Sequence, residues 1–500
     1  MRLGRNLLAG MASSVWSAAV GLAVVPWYLK YLGIEAYGLI GFFAMTQAML
    51  ALLDCGLAPT MNREVARCSA AENMREAGNL LHTLAVVYWG TAGFIALLLP
   101  VLAPFIAQYW LQAKSLPRET VSHAMMLMGF VAACRWPIAL YQAALIGAQR
   151  VTVSSAVNIS MTALGSLGAV CVLAFISPTI EAFFIWQAFV GLIYAFTMRW
   201  AAWRIIGRVA VKFMPAELQR IWRFSAGVGG TAVAGMILMQ MDKILLSRML
   251  SLADFGRYSL AAVVATGLLV LLAPSFNIIY PELSALVVGA DSRKLLDFYR
   301  SGTRLLASIL FPITMAAVVC SRDLFFLWTG DPGLASSVMP IVSLLLIGTA
   351  LNGVMIFPYA LQLAFGMTRL PLTIASSLLF IHIPLTYFLA KSYGAVGGAS
   401  AWPILNILYI ILGTWMTHRH MLKGIAVRWI TRDVALPLAI SLLVIGAGWA
   451  VLHVNGSYFT NVLLSSGLAL LVIPVNVKIL LGDKLDLFLK RRNFQGAAGK

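Results

Sequence analysis

Apolar runs of about 20 residues succeed one another along almost the whole chain, and short clusters of charge, glycine or proline close each of them. An α-helix needs about 20 residues to cross a hydrocarbon core of about 30 Å. Lipid offers backbone amides no water to bond, so a spanning segment must satisfy them internally as a helix. The pattern predicts helices at 7–29, 36–58, 80–111, 121–146, 151–176, 182–201, 224–247, 257–280, 302–327, 337–363, 370–390, 400–417, 434–452 and 458–480. The expected fold is an all-α polytopic membrane protein of about 14 transmembrane helices. Arg2 and Arg5 before an apolar stretch imitate a secretory leader, but the run continues to Leu29, too long for the apolar part of one.

Charge then sets the sidedness. Fourteen crossings leave both termini on one face. If that face is cytoplasmic, 27 of the 36 lysines and arginines fall on cytoplasmic segments. Seven fall on the other side: Lys30, Lys114, Arg118, Arg248, Arg257, Arg322 and Lys391. Arg135 and Lys243 remain within spans. Cytoplasmic loops carry the basic excess in membrane proteins, so both termini are expected inside the cell, in the inner membrane of a bacterium. The net charge of +18 is then topological. Clusters such as Arg204/Arg208/Lys212/Arg220/Arg223 and Lys490/Arg491/Arg492 face anionic membrane lipids, not nucleic acid.

Composition narrows the function. The chain is 61% hydrophobic and 11% charged, against about 25% charged in ordinary soluble domains. Its five cysteines are scattered, four of them in or beside apolar runs, so no disulfide framework is expected. The connectors are too short for a nucleotide-binding domain and GxxxxGK[ST] is absent. Gly227–Gly230 lacks the third glycine of a dinucleotide fingerprint and reads as helix packing or a hinge. Neither paired carboxylates nor histidine clusters occur. No enzyme, cofactor or metal is expected.

The chain also repeats itself. "KYLGIEAYGLIG" at Lys30–Gly41 returns as "RMLSLADFGRYS" at Arg248–Ser259, conserving the spacing of Lys30/Arg248, Leu32/Leu250, Tyr37/Phe255 and Gly38/Gly256. "LAPTMN" from Leu57 returns as "LAPSFN" from Leu272, and "GAQR" from Gly147 as "GMTR" from Gly366. Offsets of 218, 215 and 219 argue for two parallel six-helix halves around a central cavity, with two helices appended. The domains expected are an N-lobe at 1–205, a basic linker at 206–223, a C-lobe at 224–420, appended helices at 421–482 and a cytoplasmic tail at 483–500. Each copy of the connector is the outer turn between the first two helices of its half, with Gly38 or Gly256 permitting the tight re-entry.

"YLGIEAYGLIGF" with "LLDCGLAPTMNREVAR", and "QMDKILLSRMLSLADFGRYSLA" at Gln240–Ala261, resemble the Wzx-type oligosaccharide flippases. These belong to the multidrug/oligosaccharidyl-lipid/polysaccharide exporter superfamily, and the likeness covers roughly residues 5–420. It implies a flippase moving undecaprenyl-diphosphate-linked oligosaccharide repeat units, such as those of O-antigen or capsule, between leaflets. It also implies a polysaccharide polymerase and glycosyltransferases as partners.

A flippase breaks no covalent bond, so the candidates are groups that hold a polar anion within the membrane. Arg135 lies fifteen residues before Arg150, hence about 22 Å of helix from the inner edge. A guanidinium at that depth faces a cavity or a partner, and its fork suits a diphosphate. Trp136 beside it could stack on a sugar but reads more readily as packing. Asp242 and Lys243, adjacent and so pointing apart, either face the cavity or form an outer ion pair. Gln240 and Gln47 can bond hydroxyls or neighbouring helices. Asp54, Asn62 and Arg63 end the second span as a cytoplasmic latch or as helix-terminal pairing. His382 reads as a core histidine, and the Asn158 and Asn455 glycosylation patterns as chance. Two other functions remain open: a cation-coupled multidrug exporter, which wants carboxylates in its cavity, and a non-transporting scaffold of a polysaccharide-assembly complex.

Overall fold

The structure, a computed structural model, describes residues 2–207, 212–367, 369–452 and 457–481. Arg208 of the basic linker, Asn455 and the tail expected at 483–500 lie outside the described residues. The described chain is helical, with a single isolated bridge between Gln112 and Ser251. It forms two compact units, Met1–Ser259 and Leu260–Lys500.

The first unit holds α1 (Arg2–Leu50), α2 (Leu57–Ala70), α3 (Met74–Tyr109), α4 (Arg118–Arg135), α5 (Ile138–Gly147), α6 (Val151–Phe175), α7 (Ile180–Ile206), α8 (Pro215–Met249) and the start of α9 (Leu252–Val288). Leu81, Leu84 and Tyr88 of α3 pack with Tyr141 and Ala144 of α5, Met198 of α7 and Met61 of α2 to form its core. Leu97, Val101 and Phe175 project outward, each about three-quarters exposed or more. In water such a surface would aggregate; in lipid it is the solvated face. Lipid is as apolar as these side chains, so close packing and polar bonds must hold the interior together.

Three breaks shape this unit, and each moves an expectation. The first is at Gly33, with φ 78 and ψ 172 inside α1, a conformation only glycine adopts readily. The re-entry therefore belongs to Gly33 and not to Gly38, which is helical. The second copy turns at Leu250 and Ser251, 218 residues after Leu32 and Gly33. The second break is a 3-10 turn at Ala51–Asp54 followed by left-handed Cys55 and Gly56. The second span thus ends at Asp54, not at 58, and Asn62 and Arg63 belong to a new helix, α2. The third break falls at Trp136 and Pro137, where proline has no N–H to continue the helical bonding of α4.

The second unit continues with α10 (Ser292–Val319), α11 (Ser321–Thr329), α12 (Pro332–Val354), α13 (Ile356–Ala364), α14 (Arg369–His420), α15 (Ala426–Arg428), a π-helical turn (Trp429–Ala435), α16 (Leu436–Leu452) and α17 (Tyr458–Leu481). Tyr299 and Phe311 of α10, Val354, Leu361 and Trp429 centre its core. Breaks recur here, at Met355 between α12 and α13 and at Gly394 (φ 59) inside α14. Eleven stretches among the described residues are long and apolar enough to cross a membrane. Dividing two of them at Gly33 and Gly394 and adding α8 puts a helix at every expected crossing.

Candidate functional site

Arg135 is the last residue of α4, where the helix's unpaired carbonyls favour a cation. Its Nη2 donates to Gln187 Oε1 of α7 at 2.5 Å, and its guanidinium lies 6.0 Å from the centre of the Phe43 ring of α1. Gly191 leaves room for its stem: a Cβ there would stand 3.3 Å from Arg135 Cγ. The ion pairs among the described residues join other groups, so Arg135 is a cation held by a neutral amide.

The polar surroundings extend from this bond. Gln187 Nε2 donates to the Gly165 carbonyl of α6 at 3.3 Å, and Tyr28 OH to the Ser166 carbonyl at 3.0 Å. Further along α6, Asn158 Nδ2 donates to Ser13 Oγ at 2.8 Å. Its Oδ1 accepts from Tyr194 OH at 3.0 Å and from Thr162 Oγ1 at 3.4 Å. Gln187 and Tyr194 were not singled out from the sequence, and Asn158 only as a chance glycosylation pattern. Their signal was present as polar side chains recurring at helical spacing on an apolar helix: Asn158, Thr162, Ser166.

The repeat supplies an internal comparison. In the second unit Asn352, in the last turn of α12, donates through Nδ2 to Asn406 Oδ1 at 2.8 Å. Asn406 lies 219 residues after Gln187, the offset of the GxxR landmark, and Asn352 occupies the last turn of the helix matching α4. Each unit therefore carries a polar bond between corresponding helices, and in the second Trp402 Nε1 also donates to Thr349 Oγ1 at 3.2 Å. A neutral pair serves in the second; the first places a full charge there.

The other candidates are dispersed. Asp242 accepts through Oδ2 from Tyr258 OH, while its Oδ1 is buried without a hydrogen bond among the described residues. Lys243 donates to Gln240 Oε1 at 3.2 Å, so the adjacent acid and base serve different partners, and Gln240 is used by the lysine. Gln47 is half-buried on α1. Asp54 accepts from the Ala58 N–H through both oxygens, at 3.3 and 3.2 Å, and from Tyr88 OH. It thereby ties the first turn of α2 to α3. The Asn62 carbonyl packs against Gly147 of α5, and Arg63 is exposed. Of the three residues read as a latch or as helix-terminal pairing, Asp54 bonds the first turn of α2.

Residues 30–331 match the family described as "Polysaccharide biosynthesis protein". A Shigella flexneri protein named "Putative O-antigen transporter" is 23% identical over 420 residues, covering 81% of this chain and 97% of that one. Among solved structures, the lipid II flippase MurJ in an inward closed conformation aligns with a TM-score of 0.67 at 15% identity, over 96% of this chain and all of that one. An inward-facing multidrug resistance MATE family transporter of the MOP superfamily aligns with a TM-score of 0.65 at 12% identity, over 81% of this chain and 95% of that one. At these identities the structural likeness fixes the fold.

Proposed function

Since the chain belongs to the polysaccharide biosynthesis protein family, we propose that it flips an undecaprenyl-diphosphate-linked oligosaccharide across the bacterial inner membrane by alternating access. Its relatives are transporters and flippases by name, and the chain is a multi-pass membrane transporter of the MOP superfamily, not an enzyme. Arg135 is the ligand for the diphosphate in this reading. The observation that carries it is the unequal repeat. A cross-helix bond that Asn352 and Asn406 make without charge is made in the first unit by a guanidinium with no carboxylate partner among the described residues. A half-buried cation within a membrane span is expensive, and an anionic substrate offsets that cost when bound. Lys243 supplies a second cation in the outer part of α8. Both termini are cytoplasmic and the two halves of the repeat alternate about the substrate. A polymerase and glycosyltransferases act on either side of the transfer step.

A cation-coupled drug exporter shares the fold, but it wants carboxylates in its cavity where this reading uses Arg135 and Lys243. Export of the lipid-linked glycan from sealed vesicles tests the choice. Arg135→Ala should lower it roughly 10–100-fold, the equivalent of one charged hydrogen bond lost. Arg135→Lys should restore part, because lysine brings charge without the bidentate fork. Normal export by Arg135→Leu would exclude the assignment.

A further inference from the structure

We propose that Asn158, with Ser13, Thr162 and Tyr194, forms a subsite for the hydroxyls of the sugar next to the diphosphate, and so sets which glycans are accepted. This rests on the reading of Arg135 as the diphosphate ligand. Ser13 of α1, Thr162 of α6 and Tyr194 of α7 converge on the carboxamide of Asn158. Asn158, Thr162 and Ser166 share the face of α6 that also offers the Gly165 carbonyl to Gln187, the partner of Arg135. From Asn158 to Ser166 that face runs about 12 Å. The polar track therefore begins at the cation and continues away from it along a single helix.

Two observations separate this track from ordinary helix-to-helix bonding. The first is the inventory of Asn158. An asparagine amide has two N–H donors; one reaches Ser13, and the other is unpaired among the described residues. Ser13 is buried, but Asn158, Thr162 and Tyr194 are half-buried, so the bonds of Asn158 to Thr162 and Tyr194 are not sealed inside the unit. A donor next to hydroxyls that can rotate is a good match for the vicinal hydroxyls of a sugar, which both donate and accept. The second is the repeat. The matching stretch of α14 buries Ile374, Leu378, His382 and Thr386 on its inward face. At an offset of 220 residues Leu378 stands where α6 has Asn158 and Ile374 where it has Ser154, while His382 and Thr386 match Thr162 and Ser166. The second unit thus keeps polar side chains at the places of Thr162 and Ser166 and an aliphatic one at the place of Asn158. The carboxamide is what the first unit adds.

Binding of two probes by the purified full chain in nanodiscs tests the subsite. One probe is bare undecaprenyl diphosphate; the other is the same lipid bearing one sugar, taken from a panel of hexoses and N-acetylhexosamines. Wild type should bind at least one sugar-bearing lipid about tenfold more tightly than the bare one, the worth of one or two hydrogen bonds. Asn158→Leu should remove that increment and leave bare-lipid affinity unchanged. Thr162→Val, which deletes a single hydroxyl, should shrink the increment and serves if Asn158→Leu fails to fold. Equal binding of all probes by wild type, or an increment that survives in the folded variants, overturns the subsite. Arg135→Ala separates the two readings. If it leaves bare-lipid affinity intact, the diphosphate assignment fails, whatever Asn158 does.

Discussion

Gly38 and Gly256, 218 residues apart, hold the same place in the two copies of the connector and pack directly against each other. A Cβ on Gly38 would overlap the Leu252 carbonyl oxygen, and a Cβ on Gly256 the Ile34 carbonyl oxygen. Ile34 and Leu252 are themselves 218 apart, so the contact reads the same from either side. One more turn along, a Cβ on Gly41 would overlap the Ser259 side chain. The repeated connector is thus its own binding partner, and its shared glycine is there for close approach.

An added methyl group should push these helices apart. Gly38→Ala and Gly256→Ala each place a carbon against backbone, which cannot rotate away, at a cost of about 1–3 kcal/mol. Ser247, 1% exposed and bonded to Trp110 Nε1 at 2.9 Å, reports on the contact from nearby. A cysteine replacing Ser247 should react with a water-soluble maleimide roughly tenfold faster in either alanine variant, in a background without native cysteines. Equal rates with and without the methyl group would mean that the glycines are not what brings the helices together.

The basic bias of the connectors makes a second prediction. Lys114→Cys should label from outside intact cells, and Ser69→Cys only after permeabilisation; both positions are exposed. Reversed labelling would invert the orientation and move Arg135 relative to the two membrane faces.

Much of this fold was legible because lipid leaves the backbone only one solution, and runs of apolar residues mark where it is taken. The breaks were harder to read. Gly33 and Gly38 are both glycines in one connector, and only backbone angles tell the turn from the close contact. Pro137 did signal the end of α4, yet a continuous apolar run across it read as one helix. Arg135 was legible because a charge in such a run is conspicuous. Gln187 and Asn158 were not, because an amide in a membrane helix says nothing of its partner until another helix is placed beside it. Asp54 shows the reverse case. Its charge drew attention, and its carboxylate bonds the start of α2 and the Tyr88 hydroxyl.

A third prediction concerns Asp433, fully buried in the π-helical turn and shared by two arginines of α10. Arg300 meets it at 2.8 and 3.1 Å and Arg304 at 2.6 Å. This triad joins α10 to the turn that leads into the two appended helices. Asp433→Ala leaves two guanidinium groups without their acceptor and should cost about 3–5 kcal/mol. Thermal unfolding in detergent should show a markedly lower midpoint, while Arg300→Met, which leaves Arg304 paired, should cost less. A midpoint unchanged by Asp433→Ala would mean that the triad contributes nothing to holding the turn.

The last prediction uses the bridge between Gln112 and Ser251. Here the segment after α3 runs beside the second connector, with Leu252 N–H donating to the Gln112 carbonyl at 2.9 Å and Gln112 Nε2 to the Arg248 carbonyl at 2.9 Å. Bridged residues lie about 5 Å apart at Cα, within reach of a disulfide. The pair Gln112→Cys and Ser251→Cys should therefore cross-link on mild oxidation without distorting the backbone. If transport requires these outer segments to part, the oxidised protein binds its substrate from the cytoplasmic side and exports nothing. Reduction should then return export to the level of the untreated pair. Binding retained with export lost is the decisive combination, because a merely damaged protein would lose both. Export at the normal rate from fully cross-linked protein would leave the outer contact a fixed strut, and the exit for the substrate would have to lie elsewhere.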